Sequence, residues 1–156
     1  MSGLYKQFES DPKLENEGVW YDYGDFRTKL RFAGGVNKAY LGVLESTLKP
    51  YRRLIDQGVF PEERLRSLLM QVYAKTIVSD WHTALKDPDG NLVLNEKGET
   101  TWVDGIESKD GSLIQFSADA VLQTFRNLPN LFIDFATVAT SAGNYRLANL
   151  EADGKN

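Results

Sequence analysis

A long amphipathic stretch from Glu62 to Leu85 constrains the fold of this chain more than any other segment. Large, mostly apolar residues recur in it every three or four positions, which is the spacing of one apolar stripe on an α-helix. The stripe comprises Leu65, Leu68, Leu69, Val72, Tyr73, Thr76, Ile77 and Trp81. Pro61 before the stretch and Asp87-Pro88 after it are typical of helix boundaries. The pattern therefore predicts one core helix over residues 62–85.

Composition indicates a single globular domain. The 156 residues suffice to bury a sizeable core, and 42% hydrophobic with 26% charged residues are ordinary values. The chain has no cysteine, which excludes disulfides and cysteine-ligated metals and fits a reducing compartment. A net charge of −4 argues against general nucleic-acid binding, which needs basic surface. No apolar run approaches the ~20 residues of a membrane span, so we expect no membrane association.

The distribution of polar and turn residues predicts three parts. We expect residues 1–17 to be a flexible N-terminal arm, residues 18–150 a single globular domain, and residues 151–156 a flexible polar tail. Within the domain, the helical rhythm stops over residues 87–115, where four Asp-Gly or Lys-Gly turn signals occur. This segment predicts an exposed insertion of one or two hairpins.

A β-hairpin is predicted near the N-terminus. Residues 19–22 are rich in strand formers, and Tyr23-Gly24-Asp25 supplies a turn. The following residues then alternate strictly between two sets, namely Phe26, Thr28, Leu30 and Phe32 against Arg27, Lys29 and Arg31. A period of two places the first set on the core and the three cations on the other face. That face is either a docking strip for an acidic partner or ordinary solvated surface. Because an isolated hairpin is marginally stable, it must pack on the helices or pair with another strand.

Further helices are predicted on both sides of the core helix. Asn37 is an expected N-cap for a helix over residues 38–56, in which Pro50 should produce a break, and this helix should pair with the core helix. Ser117 is an expected cap for another helix, and a last helix begins near Asn130. The predicted fold is mainly α with a small β-hairpin component, an α+β class with four to five helices around one central helix.

The sequence contains few signatures of a chemical reaction. No nucleophile elbow, phosphate loop or dinucleotide fingerprint is present. His82 is the single histidine, so it cannot build a histidine-rich metal site, and on a helix Asp80 would face elsewhere. We therefore predict a protein that is not an enzyme, with no catalytic residue, metal or cofactor. Among the aromatic residues, Trp102 is a better candidate for a protein interface than those of the hairpin, because it lies in the polar insertion between Thr101 and Asp104.

Short motifs along most of the chain from Gly18 onward, the insertion apart, form a series. They are Gly18-Val19-Trp20, Asp25-Phe26, Arg31-Phe32-Ala33-Gly34-Gly35, Asn37-Lys38-Ala39-Tyr40, Ile77-Val78-Ser79-Asp80-Trp81, Phe116-Ser117, Leu128-Pro129-Asn130-Leu131-Phe132, Tyr145-Arg146 and Lys155-Asn156. In this order they resemble a tail assembly chaperone of long-tailed, lambda-like bacteriophages. The motifs are packing and turn signatures, so no family binding site is carried over to these residues.

The resemblance implies a non-enzymatic function in virion assembly. Such chaperones coat the tape measure protein, help to recruit tail tube subunits in the host cytoplasm, and are absent from the mature virion. We expect a groove between helices that receives amphipathic tape-measure segments, and copies of the chain could also associate with one another. The alternatives are another phage morphogenesis protein, such as a head–tail connector or tail terminator, and, more remotely, a small hydrolase.

The resemblance also implies a longer form made by a programmed −1 ribosomal frameshift, of which this chain would be the shorter partner. Gly154, Lys155 and Asn156 can be encoded GGA AAA AAC, which contains the slippery heptamer A AAA AAC in frame. We predict that the gene slips there or just upstream. Codons that break the heptamer, with no other slippery run nearby, would contradict this. The alternative is coincidence, because lysine and asparagine are common in polar tails.

Overall fold

The structure, a computed structural model, describes residues 3–146. Its α-helices are α1 (Gly3–Phe8), α2 (Pro12–Glu17), α3 (Lys38–Leu48), α4 (Arg52–Asp56), α5 (Glu62–Thr76), α6 (Ala118–Asn127) and α7 (Pro129–Thr140). Its strands are β1 (Val19–Asp22), β2 (Phe26–Leu30), β3 (Val78–Ala84), β4 (Trp102–Asp104), β5 (Ile106–Glu107) and β6 (Leu113–Ile114). Short 3-10 turns occupy Lys49–Tyr51 and Ala142–Tyr145. The described chain therefore has an α+β fold, as predicted.

The N-terminal hairpin forms and joins a larger sheet. Strands β1 to β4 lie in that order, each antiparallel to its neighbour. On β2, Thr28 and Leu30 are buried, whereas Arg27 and Lys29 lie on the opposite face. The predicted alternation is confirmed for residues 26–30, where β2 ends, and the predicted need for another strand is confirmed as well. The β component is nevertheless larger than the single hairpin expected, because β3 and β4 extend it.

The core helix is shorter than predicted. It begins at Glu62 but ends at Thr76, and the chain then continues as β3. The pairing of β2 with β3 shifts at Ser79, because Leu30 is opposite Val78 while the adjacent Lys29 is opposite Asp80. This bulge disturbs the period of two in β3. The prediction of a helix through Leu85 is therefore wrong.

Residues 3–17, which belong to the predicted flexible arm, contain regular structure. They form α1 and α2, and Asp11 caps α2 by accepting the N–H of Lys13 at 2.9 Å. The backbone N–H of Asp11 donates to the Tyr145 carbonyl at 3.0 Å, and the buried Glu15 carboxylate accepts the Val36 N–H at 3.3 Å. These bonds tie the segment to the rest of the domain.

Helix boundaries follow the local signals. The Asn37 side chain accepts the Tyr40 N–H at 3.2 Å, and the Ser117 hydroxyl accepts the Ala120 N–H at 3.0 Å, so both predicted N-caps are confirmed. The predicted break at Pro50 is also confirmed, because α3 ends at Leu48 and α4 begins after a 3-10 turn. Helix α3 packs on α5.

The core lies between the sheet and helices α5, α6 and α7. Trp81, Phe125 and Phe135 are almost completely buried there. The Phe125 and Phe135 rings meet edge to face with 5.7 Å between their centres. Each such side chain contributes about 1.5–3 kcal/mol by leaving water. The core therefore joins the sheet to α6 and α7, which are far from β2 in sequence.

The predicted insertion divides into two unlike parts. Residues 85–101 contain turns and two isolated bridges, and Leu92 and Leu94 are exposed, as an exposed insertion requires. From Trp102 onward the chain returns to the domain: β4 completes the sheet, and Ile106 and Ile114 pack on the core. The insertion is thus shorter than residues 87–115.

Candidate functional site

The sheet face opposite the core carries a group of aromatic and charged side chains. Strand alternation and cross-strand pairing place them on one side of β1, β2, β3 and β4. We name this group the outer-face cluster, and it consists of Trp20, Arg27, Asp80, His82, Trp102 and Asp104.

Arg27 lies at the centre of the outer-face cluster. Its guanidinium carbon is 4.1 Å from the centre of the Trp20 ring and 4.8 Å from that of Trp102. Each contact is in the range of a cation–π interaction, about 0.5–1 kcal/mol at an exposed site. Burial lowers the pKa of Arg27, and the nearby carboxylates of Asp22 and Asp80 oppose that shift. Arg27 remains a cation, because guanidinium groups do not lose their proton in proteins.

His82 contacts four other members of the outer-face cluster. Its ring stacks on Trp20 with 4.4 Å between centres, and its Nδ1 accepts the Arg27 Nε–H at 3.0 Å. The proton of the neutral imidazole is therefore on Nε2. That nitrogen lies 3.4 Å from an Asp80 oxygen and 3.3 Å from an Asp104 oxygen. The expectation that Asp80 faces away from His82 is wrong, because residues two apart on a strand share a face.

The outer-face cluster supplies a histidine and two carboxylates but no serine, threonine or cysteine positioned as a nucleophile. Within residues 3–146, no group of three or more histidine, aspartate or glutamate side chains is arranged to hold a metal ion. The outer-face cluster combines tryptophan with arginine, two residue types that are enriched at hot spots of protein–protein interfaces.

The predicted site residues do not all meet. Arg27 and Trp102, chosen by separate arguments, lie in contact, and the Lys29 ammonium is 6.0 Å from the Trp20 ring. Arg31 does not join them, because β2 ends at Leu30. The prediction of three cations on one strip is therefore wrong for Arg31. Partner binding at the other positions stays a prediction.

The side chain of Arg31 serves a different place in the fold. Its Nε donates to the Asn16 carbonyl at 2.9 Å, and one terminal nitrogen donates to the Thr76 carbonyl at 3.5 Å. It thus connects α2 with the end of α5. The frameshift positions Gly154, Lys155 and Asn156 lie outside the described residues.

A separate apolar cavity of about 510 Å³ opens on the core side of the sheet. We name it the apolar cavity. It lies between β2 and β3, the β5–β6 hairpin, and the junction of α6 with α7. Its main apolar walls are Phe26, Trp81, Ile106, Leu128, Leu131 and Phe135. The volume is within the range of ligand-binding pockets. Leu128 is 57% exposed, so an apolar side chain is accessible at this cavity.

Hydrogen bonds hold the hairpin wall of the apolar cavity. The Trp81 indole N–H donates to the Ile114 carbonyl at 3.0 Å. The Thr83 hydroxyl donates to the Gly105 carbonyl at 2.9 Å and accepts the Glu107 N–H at 3.0 Å. Buried side chains of β3 thereby fix both ends of a short hairpin that has little core of its own. The wall is preformed.

The opposite wall is supported by Tyr23. Its ring stacks on Phe26 with 4.6 Å between centres and lies 6.0 Å from Phe135, while its hydroxyl donates to the Asp134 carboxylate. Burial raises the pKa of Tyr23, and the bond to Asp134 raises it further. The phenol therefore stays protonated and connects the turn between β1 and β2 to α7.

The sequence does not predict the apolar cavity, because the spacing of Trp81 continues the core helix. Once that residue is on β3, its side chain faces Phe26 and the α6–α7 junction. The available signal was the composition of residues 77–84, where Ile77, Val78, Trp81 and Thr83 favour strands.

Comparison with known proteins identifies no relative: no protein-family model, curated protein or solved structure matches the chain. None of the helices within residues 3–146 has both the length and the apolar character that crossing a bilayer requires.

Proposed function

We propose that this protein is a phage tail assembly chaperone that binds amphipathic helical segments of the tape measure protein. The apolar cavity carries the proposal, because it offers a preformed apolar surface beside the exposed Leu128. The tape measure protein is proposed as the partner because the series of motifs resembles that of tail assembly chaperones. On this proposal the chain also helps to recruit tail tube subunits, acts in the host cytoplasm and is absent from the mature virion.

The size and lining of the apolar cavity favour a helix as ligand. A space of about 510 Å³ can receive a few large apolar side chains, such as those at positions i and i+3 or i+4 of an amphipathic helix. Burying two such side chains would contribute about 3–6 kcal/mol before the cost of association. Glu107 and Lys109 also line the cavity and supply one charge of each sign for the polar side of the helix. The expected binding is reversible, as a chaperone requires.

The proposed groove is not the one expected from sequence. The sequence predicts a groove between helices and assigns no residues to it. The apolar cavity lies instead between a sheet and a helix junction. Its helical wall includes Leu128 and Leu131, which belong to one of the motifs of the resemblance.

Co-expression with the tape measure protein encoded just downstream tests the proposal. We expect the tape measure protein to be insoluble alone and to co-elute with this chain in size-exclusion chromatography. Leu128→Asp should abolish the complex by placing a charge at the cavity. The variant should still fold, because Leu128 is exposed and an aspartate there would cap the N-terminus of α7, which offsets its unfavourable position at the C-cap of α6.

Ile133→Asp is the matched control. Ile133 is also exposed on α7, at 47%, but does not line the apolar cavity. It should leave the complex intact. Equal binding by both variants would exclude the apolar cavity as the site. Elution of this chain alone as a stable ring, with the tape measure protein precipitated, would instead favour a connector or tail terminator.

A further inference from the structure

A second cavity, of about 720 Å³, lies where the end of β2, the start of α3 and the end of α5 meet α2. Three cations, Arg31, Lys38 and Lys75, line it, and none of its lining residues is an aspartate or glutamate. We name it the basic cleft. It is separate from the apolar cavity and shares no lining residue with it.

The basic cleft concentrates positive charge that is not paired with carboxylates. The protein carries a net charge of −4, yet within residues 3–146 no carboxylate lies within 4 Å of the charged nitrogens of these three side chains. Lys38 is the first residue of α3, where the helix dipole is positive, and the first turn contains no acidic residue. A cation there is unfavourable by itself. A bound anion would offset this repulsion.

One buried carboxylate lies beside the three cations. Glu15 accepts the N–H of Val36, a lining residue of the basic cleft, at 3.3 Å. Arg31 is held by its bonds to Asn16 and Thr76, so its guanidinium is already oriented. Lys38 and Lys75 are exposed and free to turn toward a ligand.

We propose that the basic cleft binds a small oxyanion, a phosphate or a carboxylate group. Arg31 would supply an oriented guanidinium donor, and Lys38 and Lys75 would supply ammonium donors. Charge-assisted hydrogen bonds of this kind contribute more than neutral ones. The overall acidity of the protein limits attraction for large polyanions, so the site suits a single group and not a nucleic-acid backbone.

Backbone-amide NMR of the whole chain tests the cleft. Sodium phosphate and sodium succinate are titrated separately against sodium chloride at equal ionic strength. We expect saturable shifts of the Val36, Lys38 and Ala39 amides with phosphate or succinate but not with chloride. The anion that saturates these shifts identifies the chemical group.

Variants then assign the contact. Lys38→Gln and Lys75→Gln should each weaken binding about tenfold, which corresponds to the loss of one charge-assisted hydrogen bond. Lys97→Gln, in an exposed turn far along the chain, is the control and should bind as the unmodified protein does. Linear shifts that chloride reproduces would overturn the proposal. Saturable shifts that survive in the double variant of Lys38 and Lys75 would overturn it as well.

Discussion

The guanidinium of Arg27 lies over the ring of Trp102, 4.8 Å from its centre. The two residues belong to β2 and β4, which are not neighbours but both flank β3. The contact therefore crosses the face of β3, beside His82. It unites two residues that the sequence singled out for different reasons, one as a cation on a strand and the other as an exposed aromatic.

A double-mutant cycle should measure this contact. Arg27→Gln combined with Trp102→Ala should show a coupling free energy of about 0.5–1 kcal/mol in chemical denaturation. The same cycle with Lys29→Gln in place of Arg27→Gln is the control and should show almost none. Similar coupling in both cycles would mean that general charge, not ring contact, holds the outer-face cluster together.

Removal of the Thr83 hydroxyl should loosen the hairpin wall of the apolar cavity. Thr83→Val keeps the shape but deprives the Gly105 carbonyl and the Glu107 N–H of their partner. We expect a loss of about 1–3 kcal/mol in the free energy of unfolding. Thr137→Val, which removes an exposed hydroxyl bond within α7, should change stability little. The two variants should differ clearly in urea denaturation, and equal effects would argue against a structural role of Thr83.

Alanine substitutions at two glycines distinguish the cost of backbone strain from the cost of a steric contact. Gly105 and Gly24 both have positive φ, +100° and +93°, so alanine at either should cost about 1–2 kcal/mol. At Gly105 the added Cβ would also lie 3.1 Å from the Ile114 carbonyl, whereas at Gly24 it meets open space. Gly105→Ala should therefore be the more destabilising in thermal unfolding. The reverse order would indicate that the hairpin does not approach β4 so closely.

The hairpin tip should respond to acid. Hydrogen bonds from Ser108 and then Ser112 lower the pKa of Asp110 from 3.8 to about 2. A carboxyl whose pKa is depressed in the folded state stabilises it above pH 3.8, and that contribution disappears as the pH falls through about 2. Carbon-detected NMR of the carboxyl should give a midpoint near that value. Ser108→Ala should move the midpoint upward, and an unchanged midpoint would contradict the assigned cause.

Local signals in the sequence were sufficient for several helix boundaries and for one strand. Asn37 and Ser117 cap helices because a side chain and an N–H three residues later are close in any chain that turns there. Pro50 breaks its helix because it lacks an N–H. The alternation of β2 was readable because one of its faces is buried.

The identity of β3 depended on tertiary structure. Ile77 and Trp81 are four residues apart, and Val78 and Trp81 are three apart, so all of them continue the rhythm of α5. The same spacing arises in a strand whose bulge at Ser79 inserts one residue between inward positions. Sequence alone identified Ile77 and Trp81 as buried, and both are. Only pairing with β2 decided that they are buried from a strand, because the paired residues, such as Lys29 and Asp80, are about fifty positions apart in sequence.

The sites followed the same division. Sequence alone determined that the chain has charged and aromatic residues suited to contacts, including Arg27, Lys29 and Trp102. Only the tertiary structure decided which of them meet, since β4 had to return to the edge of β3 before Trp102 could reach Arg27. Likewise, because β2 ends at Leu30, Arg31 leaves the sheet and lines the basic cleft. The local sequence pattern indicates which residues are buried. A site, in contrast, is formed by strands and helices that approach one another only after the chain has folded.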